Sequence, residues 1–499
     1  MNLAKLLTDS AARRPGQVAL EFRGRSLTYA ELDQRSGSLA AGLAAAGLAP
    51  GETCVLMMPN SLEWVLCYYA LAKLGARVLP VNFLYRTDEL RHIFRDSGAK
   101  GFIGHAAHLA YAGPVLESLP AITLRVAAGD DPPPGFRPLD ELFAAAEFPP
   151  LDLPDTEPLA IIYTSGTTGL PKGAMLTHGN LATNAKTVAD MRYTEPHDIC
   201  LAVLPFFHIY GQTSTLNASL YLGLTIKLWE HFEAAEVFQA IEDLASTILI
   251  AVPTVFNRLA EMASQTPPRR SSLRFCVSGG ASLPVEVLRR FEQAFHVTIY
   301  EGYGLTECSP VCVENPYGRA TKPGSIGLPI PGFTARVVDG QDQDVPPGAV
   351  GELIIQGPGV MQGYLNQPAA TAETLRGGWL HTGDLARRDE DGYIFIVDRK
   401  KEMIIRGAYN VYPREIEEVL YGHPAVLECA VVGLPHDDLG EEVAAVVVPR
   451  PGVPVTAEEI RAYVKERVAP YKYPRVVQLA DELPKTNTGK ILKRHIKLS

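Results

Sequence analysis

ETCVLMMPN (52–60), SLEWVLCYYALAKLGA (61–76) and RVLPVN (77–82) follow one another and decide the architecture. The first is a short apolar run stopped by Pro-Asn and reads as a buried strand. The second has a helical rhythm and ends at Gly75 and Ala76. The third is strand-like again. A strand, a helix and a further strand in this order imply a parallel sheet with covering helices.

The rhythm extends in both directions. SLTYAELDQRSGSLAAGLAAAGL (26–48) has a helical period that stops at a Gly turn, and the Pro- and Asp-rich residues 128–157 read as a surface crossing. From 158 to about 320 strands are expected at 159–163, 199–204, 247–252 and 274–280, with helices near 179–191 and 234–245, and VTIYEGYGLTE (297–307) reads as a strand running into a polar loop. Ser282 is placed to cap a further helix with Pro284 in its first turn. From about 325, GELIIQG, GYIFIVDR and Asp-Gly turns suggest shorter antiparallel strands. From about 400 a small α+β unit is expected, with helices at 413–422 and 456–468, strands in ECAVVGLP and EEVAAVVVP, and a basic tail ending in a loop and short helix. The fold class is therefore α/β. A large N-terminal part, 1–398, holds stacked mixed sheets with covering helices and a β-rich subdomain; a small α+β part, 399–499, follows.

Composition narrows the class. The chain has 499 residues, 46% hydrophobic and 20% charged, which suits a large buried core and not a disordered chain. A net charge of −10 argues against a nucleic-acid coat and for a cytoplasmic protein. The seven cysteines form no CxxC pair, so each reads as a small buried hydrophobe in a reducing compartment. No run reaches the ~18 apolar residues of a membrane helix, and STILIAVP (246–253) reads as a buried strand. Arg13, Arg14, Arg23 and Arg25 suit either weak peripheral membrane contact or an ordinary solvated face.

The chemistry concentrates in IIYTSGTTGLPKGAMLTHGN (161–180). An apolar strand gives way to Thr164, Ser165, Gly166, Thr167, Thr168 and Gly169, with Lys172 and Gly173 after Pro171. This is not a Walker A loop, because Pro171 stands before the lysine and Gly173 after it. The ingredients of a phosphate site are still present: glycines for tight turns, hydroxyl donors, one mobile cation and a helix start expected close behind.

YTSGTTGLPKG resembles the signature of the adenylate-forming superfamily of acyl-CoA synthetases, peptide-synthetase adenylation domains and luciferases. YGLTE (303–307), TGD (382–384), DRKKEMIIRGAYNVYP (398–413) and PKTNTGK (484–490) match in the same order. The resemblance runs from near Leu6 to the C-terminus. It implies ATP, Mg²⁺ and CoA, and a two-step reaction. A carboxylate attacks the α-phosphate of ATP to give acyl-AMP and pyrophosphate, and a thiol then displaces AMP. The resemblance places residues 164–172 on the β- and γ-phosphates, Glu307 on Mg²⁺ and Thr306 on the α-phosphate. Tyr303 is expected against adenine, with Gly279 and Gly280 on its other side and Glu301 and Gly304 beside the nucleotide. Asp384 is expected to accept the ribose hydroxyls, with Arg399 near them. Lys490 is expected to offset the repulsion between the reacting anions, and Lys401 to be the hinge about which the small domain moves.

LPFFHIYGQT (204–213) matches the segment lining the acyl pocket, with His208 beside the adenylate carbonyl. Tyr210, Gly211, Gly280, Pro310 and Val311 would line the rest, mostly apolar or small. No Asp stands between Leu204 and Gln212, which disfavours an amino acid substrate, and no unpaired Arg or Lys in these segments offers to hold a second carboxylate. LPFFHIYG and EGYGLTECSP are most similar to bacterial medium- or long-chain fatty acyl-CoA synthetases. An aryl or short-chain acid, or a carrier-protein thiol as acceptor, remains the alternative. Two departures concern CoA. Gly407-Ala408 stands where many ligases have a second glycine, and Leu439 occupies a loop where some relatives have an aromatic. Tyr471, Lys472, Tyr473 and Arg475 are available to the CoA nucleotide instead.

Overall fold

The computed structural model describes residues 1–164, 171–407, 409–486 and 489–498. Among them, two large mixed sheets enclose the main core. One runs Gly363–Tyr364, Lys172–Thr177, Pro158–Thr164, Arg77–Pro80, Thr53–Met57, Gly101–His105, Leu124–Ala128 and Arg137–Pro138. The other runs Leu328–Pro329, Val311–Glu314, Ile299–Gly304, Leu273–Ser278, Thr247–Ala251, Ile199–Ala202, Thr225–Leu228, Val18–Phe22 and Arg25–Thr28. Each is parallel through its middle and turns antiparallel toward its edges, at the hairpins 158–164/172–177 and 299–304/311–314.

The helix of the opening stretch, Leu62–Leu74, shows why the layers stack. Ser61 accepts the Trp64 N–H at 3.1 Å, and Gly75 ends the helix at φ 73°. Every residue of the helix except Glu63 is buried. A helix apolar all round must be covered all round, and this one packs against strands of both sheets. It also fixes the segment that follows Ala202. Trp64 lies 5.3 Å from the Phe206 ring, Asn60 Nδ2 donates to Leu204 O at 2.9 Å, and Asn60 Oδ1 accepts the Phe206 N–H at 2.7 Å. Tyr69 donates to Asn217 at 2.9 Å. Between these anchors Gly211–Asn217 forms a buried π-helical turn.

Three expectations are corrected. The phosphate-type loop does not run directly into a helix: Lys172 opens a return strand paired antiparallel with 158–164, and the helix begins only at His178, capped by Thr177 and Asn180. Ala174 and Leu176 are buried from the strand, and the helix dipole lies at its far end. Ser282 caps nothing. The helix Val285–Phe295 starts after Pro284, and the Val285 N–H is accepted by Glu418 Oε2 at 3.2 Å. Residues 25–28 are a strand, and the helix there spans Tyr29–Ala45.

A four-stranded antiparallel sheet, Thr334–Val338, Val350–Gln356, Leu380–Arg388 and Ile394–Arg399, bears out the β-rich texture after residue 325. A last sheet is built from Tyr409–Val411, Ile404–Arg406, Gly440–Pro449 and Val426–His436, with Val476–Leu479 added in parallel. It is backed by the helices Pro413–Tyr421 and Ala457–Lys465 around its own core of Ile416, Leu420, Val431 and Ile460. All seven cysteines are buried and reduced. Among the described residues, no helix is long and apolar enough to cross a membrane.

Candidate active site

The turn carrying Lys490 enters the large sheets from the small unit. Gly489 donates to Thr486 O at 2.8 Å and has φ 81°. A Cβ there would lie 2.5 Å from Thr254 Oγ1, so only glycine lets the turn seat against Val252 and Thr254. The Lys490 ammonium is pulled down to about 8, first by burial and then by Arg399, while Asp384 and Glu402 hold it up. His208 is close enough to feel it. Burial and then Lys490 push the imidazole down to about 4, so it is neutral near pH 7. Its Nδ1 accepts the Tyr210 N–H at 3.2 Å, which leaves the proton on Nε2.

Asp384 is buried at the end of the TGD turn. The Tyr303 hydroxyl donates to Oδ2, and Arg399 Nε lies 3.2 Å from Oδ1. Gly304, on the same strand as Tyr303, is obligatory: a Cβ would stand 2.1 Å from Pro310 O. Glu301 points into the protein. Its Oε1 accepts the Leu283 N–H at 3.1 Å, its Oε2 has no partner among the described residues, and burial raises the carboxyl to about 7.

Thr306 and Glu307 form a short 3₁₀ turn beyond that strand. Glu307 Oε1 accepts the Tyr364 hydroxyl at 2.7 Å, and the Lys172 ammonium sits 5.2 Å from the Tyr364 ring centre. Thr164 Oγ1 donates to Lys172 O at 3.5 Å, closing the base of the hairpin. The loop residues Ser165, Gly166, Thr167, Thr168 and Gly169 lie outside the described residues, as does Ala408. Tyr364 went unnamed in the sequence reading. It reaches the site through a two-residue strand, Gly363–Tyr364, whose pairing with Ala174 and Met175 no local pattern announces.

Gly279 and Gly280 face the acyl segment. A Cβ on Gly279 would stand 2.9 Å from the Tyr210 ring and hydroxyl, and one on Gly280 would touch Val252. Gly211 is as tight, 2.6 Å from Pro205 O. Val311 is fixed through Asn184, which donates to Val311 O at 2.7 Å, and Pro310 is buried beside it. The pocket segments contain no Arg or Lys, but a neighbouring helix ends in an arginine that is already paired. Arg192, at the end of His178–Met191, is buried and donates to Ser214 O at 2.9 Å; its Nη2 lies 3.6 Å from Glu314 Oε2.

The CoA-side residues form a separate group. Lys401 is exposed in the turn between Ile394–Arg399 and Ile404–Arg406. Gly407 donates to Leu439 O at 2.7 Å with φ 63°. The exposed Tyr409 stacks on Tyr471 at 4.4 Å, Lys472 pairs with Glu415 at 2.7 Å, and Arg475 covers the Tyr473 ring at 3.5 Å. Among the described residues, the partners of Lys472 and Arg475 lie within this group, whereas Asp384 and Arg399 pair with each other.

The AMP-binding enzyme profile matches residues 7–365, and the AMP-binding enzyme C-terminal domain matches 415–490. The chain belongs to the AMP-binding enzyme family. This AMP-binding enzyme is 36% identical over 525 residues to a long-chain-fatty-acid–CoA ligase of Bacillus subtilis (strain 168), covering 99% of the chain and 94% of the relative. It is 39% identical over 490 residues to a feruloyl-CoA synthase of Amycolatopsis sp, covering 98% and 96%. The anthranilate CoA ligase AuaEII in complex with anthranoyl-AMP superposes with a TM-score of 0.91 at 29% identity, covering 98% of this chain and 95% of that one. These relatives support AMP-forming acid–CoA ligation for this enzyme and leave the acid open. Adenylate-forming CoA ligases use ATP, Mg²⁺ and CoA. The donor set here fits such a metal. Glu307 offers one carboxylate, and Mg²⁺ is ordinarily held by one or two carboxylates together with phosphate oxygens and water. No cage of three or more His, Cys, Asp or Glu exists among the described residues.

Proposed function

We propose that this enzyme activates a carboxylic acid with ATP and transfers the acyl group to CoA, using the residues assembled around Lys490. The observation that carries the reading is the buried Lys490 ammonium, held on a glycine turn against Val252 and Thr254, among Asp384, Arg399 and Glu402 and close enough for the neutral His208 to feel its charge. In the first step a carboxylate oxygen of the acid bonds to the α-phosphorus and pyrophosphate leaves. Two anions must meet, and Lys490 supplies the positive charge between them. Asp384 accepts the ribose hydroxyls, and its oxygens retain lone pairs beyond those used by Tyr303 and Arg399. Thr164, Lys172 and the loop between them hold the terminal phosphates, beside Thr306. Mg²⁺ at Glu307 neutralises phosphate charge when bound.

In the second step the CoA thiol bonds to the acyl carbon and AMP leaves with the bonding pair. Residues 399–499 act as a domain that turns about Lys401, withdraws Lys490 and brings the 404–410 hairpin to the acyl-AMP. Tyr471, Lys472 and Arg475 then serve the CoA nucleotide. The buried, reduced cysteines support a cytoplasmic setting.

For the acid, the apolar segments around Phe206–Tyr210 and the Bacillus relative support a medium- or long-chain fatty acid. An aryl acid is the second reading. It is favoured by the bare Gly279 backbone lying against the flat Tyr210 ring and by the feruloyl-CoA synthase relative. ATP–pyrophosphate exchange across alkanoates and aryl acids, with wild type and Lys490→Ala, tests the reading. Acid-dependent exchange that Lys490→Ala abolishes, with CoA-dependent AMP release, is expected. Exchange that survives in Lys490→Ala would remove the assignment of Lys490.

A further inference from the structure

The helix Pro253–Gln265 presents one row of side chains to the small unit. Thr254, Asn257 and Glu261 are spaced by three and four residues, so they share a face. Each meets a different segment of residues 399–499. Thr254 receives the glycine of the Lys490 turn: a Cβ on Gly489 would stand 2.5 Å from its Oγ1. Asn257 Nδ2 donates to Leu427 O at 2.9 Å, at the start of the strand Val426–His436. Glu261 accepts from Arg450, which stands just past the strand Gly440–Pro449.

The middle contact reaches Lys490 by a second route. Glu428, next to Leu427, pairs with Lys485 at 2.7 Å. Lys485 is bridged to Ile491 across the turn, the Thr486 N–H donates to Lys490 O at 2.7 Å, and the Lys490 N–H donates to Thr486 Oγ1 at 3.1 Å. The row therefore holds the Lys490 turn directly at Thr254 and, through the strand start, at its base. Its polar groups suit a partner that arrives and leaves. Asn257 is 4% exposed and its Oδ1 has no partner among the described residues, so the hydrogen bond of its side chain goes to the small unit. Glu261 also accepts from Arg290 at 3.1 Å on its own side. It stays paired when Arg450 departs, and no uncompensated charge is left behind.

Resting on the ligase reading above, we propose that Thr254, Asn257 and Glu261 form a docking rail that sets the position of Lys490 for the first step and plays no part in the second. They are positioning residues, acting through the Lys490 turn. Two of the three contacts are a hydrogen bond and an ion pair. Such contacts exchange against water at little net cost, which suits a unit that must also let go. Misplacing a reacting group by about 1 Å can cost about 10²-fold in rate, so a loosened rail is felt in chemistry. It is felt less in nucleotide binding, which the reading above gives to Asp384 and Tyr303, outside the row.

The test separates the two steps. Glu261→Ala, Arg450→Ala, the two combined, and Asn257→Asp, which sets a carboxylate against Leu427 O, are compared with wild type. One assay is ATP–pyrophosphate exchange with the acid that leads the wild-type panel. The other is transfer to CoA from the synthetic adenylate of that acid. Each single variant is expected to lower the kcat of exchange by about tenfold or more, with KM for ATP and acid, and the rate of transfer, within about threefold of wild type. The combined variant should fall no further than the worse single one, because partners across one contact are not additive. Should Glu261→Ala fail to fold, Glu261→Gln, which keeps the shape and removes the charge, carries the same expectation. Exchange and transfer that fall together would reduce the row to a structural contact and overturn the rail, as would undiminished exchange in Arg450→Ala and Asn257→Asp. In both cases wild-type exchange leaves the ligase standing. No exchange by wild type with any acid would overturn the ligase reading and the rail with it.

Discussion

The two ends of the cleft are built on opposite plans. At the nucleotide end, charged groups from separate elements face one another: Asp384 meets Arg399 and Tyr303, Glu307 meets Tyr364, and Lys490 is brought in on a glycine turn. Behind Tyr210, one ion pair, Arg192 with Glu314, is buried with few partners: Tyr317 donates to Glu314 Oε1, and Arg192 donates to Ser214 O. On the proposed reading, the first plan serves chemistry common to any acid, with its charges meeting phosphate and ribose. The second holds the fold behind the acyl segment. Breaking each end should therefore give different symptoms.

The largest effect is expected at the sealed end, and in stability. Glu314→Ala leaves the Arg192 guanidinium buried and alone, and should cost about 3–5 kcal/mol in urea unfolding. A double replacement, Arg192→Met with Glu314→Leu, should recover most of that loss. Next comes chemistry at the other end. Lys490→Ala should lower exchange about 10²- to 10³-fold, as expected for removing a charge that faces developing negative charge, with little change in melting temperature. The pH profile sharpens the assignment. The Lys490 pKa is lowered, so its charge is lost on passing about 8 and not 10.5. Exchange measured as kcat/KM should fall above about pH 8, and Lys490→Arg should remove that descending limb. The smallest effect is expected for Tyr364→Phe, which takes one donor from Glu307. It should raise the Mg²⁺ requirement several-fold, corresponding to about 1 kcal/mol.

Legibility followed locality. The strand–helix–strand at 52–82 was readable because periodicity, the Ser61 cap and the Gly75 stop all lie within one stretch. The texture of the last sheets was readable for the same reason. The loop at 165–170 was readable as a motif, but its surroundings were not. Whether KGAMLT continues into a helix or folds back as a strand depends on pairing with Pro158–Thr164, and Lys172 itself carries no sign of that. Ser282 looked like a cap because the competing acceptor, Glu418, lies far along the chain. Tyr364 and the Arg192–Glu314 pair were missed for that reason as well. Arg192 ends a helix as an ordinary basic residue would, and Glu314 lies within the strand Val311–Glu314; only their meeting gives them meaning.

The borrowed cap at Val285 has a further use. The first amide of the helix Val285–Phe295 is closed by a carboxylate that belongs to the other sheet system. A departure of the helix Pro413–Tyr421 would uncap that amide. On the proposed movement about Lys401, its hydrogen–deuterium exchange would serve as a label-free clock, at one backbone nitrogen, for how often the two parts separate.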